Sequence, residues 1–169
     1  NSTQPLDGRK FALQYAHSRY GLSDAESEVF GEYIAHPQHM IMKDGKDEKN
    51  VPIANVLDDC VNLKQKFDKL IPKTNKEEFE HYKLMLDIRI NYLSYKKIEA
   101  FYESPEYNRS HASEGIDRLK PTIAESDKLD KRFTKLNRDY LKPGQAEYVN
   151  HARSEKMKTL YKWLVNNRN

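Results

Sequence analysis

Apolar residues recur at steps of three and four positions in a segment bounded by two prolines, Pro52 and Pro72. Such spacing places side chains on one stripe of an α-helix. The stripe consists of Ile53, Val56, Leu57, Cys60, Leu63, Phe67 and Leu70. Pro52 suits the first turn of a helix, where its missing N–H is not needed, whereas Pro72 cannot continue one. The pattern therefore predicts an amphipathic helix over 52–70.

The same spacing recurs elsewhere in the chain. It predicts further helices at about 8–20, 23–36, 75–103 and 112–141, and a last one that follows Gly144. Two starts have capping-box spacing, Ser23-Asp24-Ala25-Glu26 and Thr74-Asn75-Lys76-Glu77, in which a hydroxyl and a carboxylate each bind a free backbone N–H. Pro121 either kinks the fifth helix or marks its true start. Residues 36–51 are polar and predict a surface loop.

The fourth predicted helix carries apolar residues around more than half of its circumference, so we expect it to lie centrally. Charged residues make up 33% of the chain, and 29 Lys plus Arg are interspersed with 26 Asp plus Glu. Such mixing is typical of solvated outer helix faces. Short connections between helices favour antiparallel neighbours. We predict an all-α fold, an antiparallel bundle of about five to six helices that forms a single domain over 1–169.

Several function classes lack their sequence signatures. The single cysteine, Cys60, excludes an intramolecular disulfide and a multi-cysteine metal site. No apolar stretch is long enough to span a bilayer. The chain has neither a G-x-S-x-G motif nor a glycine-rich phosphate loop, and its net charge of +3 is too small to indicate nucleic acid by itself. We therefore predict no enzymatic activity, no catalytic residues and no cofactor.

One segment of the predicted loop has the side chains of a copper site. It places His36, His39, Met40 and Met42 within seven residues. Imidazole and thioether ligands suit Cu(I). The methionines could equally pack into the bundle, so copper binding by a periplasmic protein is an alternative function.

Glu78 and His81 form an E-x-x-H pair on one helical face. Ferritin-like di-iron bundles use this pair twice, together with two further glutamates. The second copy is missing from this sequence. We therefore interpret Glu78 and His81 as members of exposed ion pairs.

Five aromatic residues cluster around the end of the fourth helix: Tyr92, Tyr95, Phe101, Tyr102 and Tyr107. Large amphipathic rings can close the end of a bundle, with one side packed and the other hydrogen-bonded. The same rings could instead form a patch that binds another protein. We keep both interpretations and take these five residues as the candidate partner-binding site.

The last predicted helix is rich in basic residues, namely Arg153, Lys156, Lys158, Lys162 and Arg168, with Tyr161 and Trp163 among them. This face could contact an acidic partner, an anionic membrane surface or RNA. The alternative is a solvated face with a buried tryptophan. Two sequons, Asn1-Ser2-Thr3 and Asn108-Arg109-Ser110, would matter only in a eukaryotic secreted protein.

The run from Tyr95 to Asn108 contains an aromatic pair, Phe101-Tyr102, followed by Ser104 and Tyr107. It resembles the segment that follows a long helix in the YiiG-like bacterial lipoproteins, a helical family of unknown function. The resemblance covers about residues 53–141, and the lipid-bearing N-terminal cysteine of those proteins is not seen in the sequence shown. It implies an exported protein of the bacterial envelope or periplasm and transfers no functional residue.

The leading hypothesis is a non-enzymatic helical module of the bacterial envelope whose partner is another protein. A specific form is an immunity protein that blocks a secreted toxin, because such proteins are small and lack catalytic motifs. The copper-binding loop and an anionic-surface or nucleic-acid binder remain the alternatives. The sequence leaves the identity of the partner and the oligomeric state open.

Overall fold

The predicted all-α fold is confirmed by a computed structural model, which describes residues 8–36, 45–105, 107–140 and 145–168, with side chains of the last segment described from residue 154 onward. These ranges contain six α-helices. They are α1 (Gly8–Tyr20), α2 (Asp24–Ala35), α3 (Ile53–Phe67), α4 (Lys76–Tyr102), α5 (Ala112–Leu136) and α6 (Gln145–Asn167), and a 3-10 helix, Arg109–His111, precedes α5.

The start of α2 shows the predicted capping box. The Ser23 hydroxyl accepts a hydrogen bond from the backbone N–H of Glu26 at 3.2 Å, and Glu26 Oε1 accepts one from the N–H of Ser23 at 3.0 Å. Both bonds satisfy N–H groups that a helix start leaves unpaired. Glu26 Oε2 also accepts from the N–H of Ile71 at 3.0 Å. The cap therefore ties α2 to the connection between α3 and α4.

The predicted capping box at the start of α4 does not form. Asn75 precedes the helix with a left-handed backbone, φ 50°, and makes no side-chain cap hydrogen bond. Thr74 Oγ1 and Asn75 Nδ2 instead both donate to the carbonyl oxygen of Arg19, each at 2.8 Å. This carbonyl belongs to the last turn of α1, where no intrahelical partner remains for it. A contact between distant parts of the chain thus outweighs the local pattern.

α4 packs against other helices along both of its halves, as its apolar distribution predicted. Consecutive helices from α1 to α6 contact one another, the arrangement of an up-and-down bundle. The first half of α4 enters the N-terminal core, formed by Ala16, Tyr20, Leu22, Phe30, Leu63, Phe67, Leu70, Phe79 and Leu86. The second half enters the C-terminal core, formed by Tyr95, Ile98, Tyr102, Ala112, Ile116, Leu119, Met157 and Leu164.

α5 passes through Pro121 without interruption and begins at Ala112, so Pro121 does not mark the start of the helix. Its contact with α6 includes a buried polar chain. Ser154 Oγ donates to Asp130 Oδ2 at 2.8 Å and shares a second hydrogen bond of 2.8 Å with Ser126 Oγ. Because buried hydroxyls need partners, these bonds favour one register of α6 against α5.

Candidate functional site

A solvent-exposed face runs along the described part of α6. Its members are spaced by one helical turn or two, which places them on one side of the helix. We call the following residues the α6 face: Glu155, Lys156, Thr159, Lys162, Trp163 and Asn166. The face combines two lysines and one glutamate with the single tryptophan of the chain. An aromatic anchor among polar and cationic side chains is typical of surfaces that bind proteins.

Trp163 is the large apolar side chain of the α6 face, and 45% of it is exposed. Its ring centroid lies 5.8 Å from that of Tyr107, and the Tyr107 centroid lies 5.0 Å from that of Tyr102. Tyr102 belongs to the C-terminal core and is 8% exposed. The three rings form a continuous chain from the core to solvent, which we call the aromatic chain. Trp163 therefore packs on the ring of Tyr107, while the solvent-facing part of its own ring is accessible to a partner.

The inner end of the aromatic chain is held by a close approach of α5 to α4. The Tyr102 hydroxyl donates to the carbonyl oxygen of His111 at 2.6 Å. Gly115 of α5 lies against the same phenol, and a Cβ atom there would overlap the Tyr102 ring. Burial, followed by the charge of Glu114, raises the pKa of Tyr102, so its hydroxyl remains a hydrogen-bond donor. This anchoring fixes the position of the connection that carries Tyr107.

A partly buried carboxylate, Glu99 of α4, lies near the α6 face. It accepts hydrogen bonds from the Tyr95 hydroxyl and from Lys96 Nζ, the latter at 2.5 Å. Burial opposes its charge, but the bonds from Lys96 and Tyr95 and the charge of Lys156 outweigh burial and lower the pKa of Glu99. Burial and the bond to Glu99 raise the pKa of Tyr95. Glu99 is thus ionised at neutral pH and lies within electrostatic range of Lys156.

The five aromatic residues proposed as a partner-binding site occupy different environments. Tyr95 and Tyr102 are 5% and 8% exposed and belong to the C-terminal core. Their burial corrects the interpretation of them as surface contacts, because α5 and α6 together cover that side of α4. Phe101 and Tyr107 are half-buried against the same core, and Tyr92 is 38% exposed. Tyr95 and Tyr102 thus match the interpretation of a packed layer, and binding of another protein by the more accessible rings remains a prediction.

The basic residues of α6 are also divided. Lys158 turns toward α5, where its Nζ lies 3.4 Å from Asp127 Oδ1. Lys156, Lys162 and Arg168 are exposed, whereas the side chain of Arg153 lies outside the described residues. The tryptophan that one interpretation placed in the core is Trp163, which is accessible. The sequence could not show which of these side chains are exposed and which turn toward α5, because it does not show which side of α6 meets α5.

Of the proposed copper ligands, His39, Met40 and Met42 lie outside the described residues. His36 ends α2, and its Nδ1 lies 3.4 Å from a guanidinium nitrogen of Arg89. A cation at this distance competes with a metal ion for the ring lone pair. Among the residues that the structure describes, no group of three or more His, Cys, Asp or Glu side chains is arranged to hold a metal ion. The copper site remains a prediction.

Glu78 and His81 contact different residues. Glu78 accepts hydrogen bonds from Arg19 Nη2 at 2.5 Å and from the Tyr20 hydroxyl at 2.6 Å. The bond from Arg19 contributes most, and the one from Tyr20 next, to lowering the pKa of Glu78 to about 2. The His81 ring instead lies 6.2 Å from that of Tyr140. Sequence reasoning missed this link between α1 and α4, because its partners lie almost sixty positions apart.

Comparison with known proteins leaves the family of the chain open. No protein-family model, curated protein or solved structure matches the sequence. Among the described helices none is both long enough and apolar enough to cross a membrane.

Proposed function

We propose that this protein is a non-enzymatic protein-binding module of the bacterial envelope and that the α6 face contacts its partner. The observation that supports this most directly is the exposure of Trp163 at the end of the aromatic chain. Tryptophan and tyrosine are enriched among the few residues that dominate binding energy. A ring already packed on Tyr107 loses little conformational freedom when a partner covers it, which favours affinity.

The charges around Trp163 favour a partner with an acidic surface. Lys162 is exposed next to Trp163, and Lys156 lies two turns before it on the same side of the helix. Complementary charge accelerates association and selects against cationic partners. A specific form of this proposal is an immunity protein that binds a secreted toxin. The partner would then be an acidic patch of that toxin.

Affinity capture from the source organism with the full chain as bait tests the proposal. The partner that is recovered would be purified and titrated by calorimetry against wild type, Trp163→Ala and Tyr140→Ala. Tyr140 is a matched control, since it is an aromatic side chain that is 74% exposed and is not part of the α6 face. We expect Trp163→Ala to weaken binding at least about tenfold, the scale of a dominant contact, and Tyr140→Ala to change it little.

The proposal fails if no stoichiometric protein partner is recovered. Equal affinity for Trp163→Ala and wild type would exclude the α6 face as the contact. Metal analysis of the same sample addresses the copper alternative, in which replacing His39 and Met42 with Ala abolishes copper uptake. Recovery of nucleic acid or anionic lipid in place of a protein, with affinity that falls steeply with salt, would favour the anionic-surface alternative.

A further inference from the structure

The outer side of α5 carries a row of exposed lysines. We call Lys120, Lys128, Lys131 and Lys135 the α5 row. At 3.6 residues per turn these positions fall within an arc of about 80° on the helix circumference and extend over about 22 Å of its length. Ala124, which is also exposed, lies on the same side between the first two lysines. The row is thus a straight line of positive charge on one convex helix face.

The packing of α5 explains why this face is directed outward. The carbonyl oxygen of Thr122 accepts a hydrogen bond from Asn91 Nδ2 of α4 at 3.0 Å. The Ser126 hydroxyl lies 2.8 Å from that of Ser154 in α6. Thr122 and Ser126 lie on the opposite half of the helix from the α5 row. Contacts with α4 and α6 therefore fix the row on the solvent side of the bundle.

The charge of the α5 row is not compensated by its neighbours. Among the residues that the structure describes, no ion pair involves any of its four ammonium groups. Asp117 lies on the same side of α5, beyond the first lysine of the row, and Glu125 and Asp127 flank the row. Asp127 is paired with Lys158 of α6. The row therefore presents net positive charge to whatever approaches α5 from outside.

We propose that the α5 row docks the protein on an anionic lipid surface. Attraction to a layer of phosphate headgroups requires only positive charge close to the surface and no shaped pocket. The row contains no aromatic ring on which a nucleobase or the centre of a protein interface would pack. A straight row on a convex face also meets a flat surface along its whole length. The inference rests on the envelope location within the proposed function, since anionic lipid is present there.

The α5 row and the α6 face are separate surfaces. α6 directs Ser154 and Lys158 toward α5, and the α6 face lies on the other side of α6. Lipid contact through the row therefore uses none of the residues proposed to bind the protein partner. The two activities are separable by substitution.

Sedimentation of the full chain with vesicles tests the inference. One set of vesicles is pure phosphatidylcholine, and the other contains equal parts of phosphatidylcholine and anionic phosphatidylglycerol. We expect binding to the anionic vesicles alone, with an affinity that falls as salt is added. Each lysine near such a surface strengthens binding roughly fivefold, so Lys128→Gln, Lys131→Gln and Lys135→Gln combined should weaken it on the order of a hundredfold. Arginine at the same three positions should preserve binding.

The matched control removes the same charge from the last helix. Lys156→Gln, Lys162→Gln and Arg168→Gln combined alter three exposed cations outside the row. This variant should bind the anionic vesicles within about tenfold of wild type, because screening limits the effect of distant charges. Circular dichroism would show that both variants retain the helical content of wild type.

Failure of wild type to bind the anionic vesicles would overturn the inference. Equal losses in the two triple variants would do the same, because binding would then follow net charge and not the row. Binding of an oligonucleotide in the absence of vesicle binding would also contradict it. The vesicle measurement needs no protein partner. A chain that binds its partner through Trp163 but not the vesicles would refute the lipid contact alone, and vesicle binding through the row without a recovered partner would refute only the binding module.

Discussion

The two cores arrange their buried aromatic residues differently. In the N-terminal core Tyr20, Phe30 and Phe79 are at most 1% exposed, and each ring contacts the other two with centroids 5.1 to 6.4 Å apart. In the C-terminal core the rings form a line that starts at buried Tyr102 and ends at Trp163, which is 45% exposed. Tyr15 also connects Tyr20 to Phe11, which is 63% exposed, so the N-terminal set reaches solvent as well, but through rings outside its buried core.

The difference lies in what surrounds each set. The Tyr20 hydroxyl is bound by Glu78 at 2.6 Å and lies 3.1 Å from the Tyr82 hydroxyl, so its polar end is satisfied within the protein. Trp163 lies on the outer side of the last helix, where no further described helix covers it. Enclosed rings such as Phe79 thus contribute to a core, whereas an accessible ring that packs on a core, such as Trp163, is a candidate for binding.

The largest effect on stability should follow from removing a buried ring of the N-terminal core. Phe79→Ala removes a fully buried ring that stacks on Phe67 with centroids 5.2 Å apart. We expect a loss of about 3–5 kcal/mol in the free energy of unfolding, the usual range for Phe→Ala in a core. Urea denaturation followed by circular dichroism measures it. A loss below about 1 kcal/mol would show that the N-terminal core is not tightly packed.

A smaller loss of stability is expected from a substitution in α5 at the point where it approaches Tyr102 of the C-terminal core. Gly115→Ala would place a methyl group into the Tyr102 ring, and overpacking of this kind costs about 1–3 kcal/mol. Gly31→Ala in α2 is the matched control, because its methyl would meet only a Leu13 methyl carbon at 3.5 Å, an ordinary contact. That variant should stabilise the helix by about 0.5–1 kcal/mol. Equal effects of both variants on urea midpoints would contradict the described approach of α5 to α4.

Truncating the accessible end of the aromatic chain should matter less for folding than for binding. Trp163→Ala removes a ring that is roughly half buried, so we expect a loss of about 1 kcal/mol, near half the value for full burial of a large side chain. Tryptophan emission of the wild type, which reports this residue alone, should be quenched by iodide and protected once a partner binds. A blue-shifted, iodide-resistant emission in the free protein would indicate that Trp163 is buried.

The smallest expected effect concerns the polar edge of the N-terminal core and depends on pH. The folded pKa of Glu78, about 2, lies below the value of 4.5 for a free side chain. Its contribution to stability is therefore fully present above about pH 4.5 and is lost as the pH falls toward 2. Because 39% of the side chain is exposed, solvent screening limits this contribution to about 1 kcal/mol or less.

Urea denaturation of Glu78→Gln and wild type at several pH values measures this contribution. The difference in unfolding free energy should shrink between pH 5 and pH 2. Glu77→Gln, on an exposed neighbour in the same turn, is the control and should show no such convergence. A difference that stays constant with pH would assign the effect to packing of the side chain.

Local sequence patterns predicted the helices correctly, but they predicted only some of the polar contacts at the helix ends. Six of the seven stripe residues from Ile53 to Leu70 are buried and Leu57 is half-buried, because a period of three to four residues specifies one helix face. The capping boxes had equal local support, yet only that of Ser23 formed. Thr74 and Asn75 instead bind the carbonyl of Arg19, a competitor that no local window contains.

The candidate site was predicted in part. The sequence identified the aromatic cluster and the basic last helix, but as two separate features. The contact between Tyr107 and Trp163 joins them, and burial removes Tyr95 and Tyr102 from the surface. Which rings are accessible depends on where α6 packs, and α6 packs by burying Met157 and Leu164 against α4 and α5.

The sequence by itself determined the helical class, the central place of α4 and the separation of charged from apolar faces, because these follow from periodicity and short connections within a few turns of chain. The tertiary structure alone decided which polar groups pair and which rings remain accessible. Those outcomes depend on competition between groups that lie tens of residues apart, as Arg19 and Glu78 do. Burial and hydrogen bonding are properties of the neighbours in space, and the order of residues does not specify them.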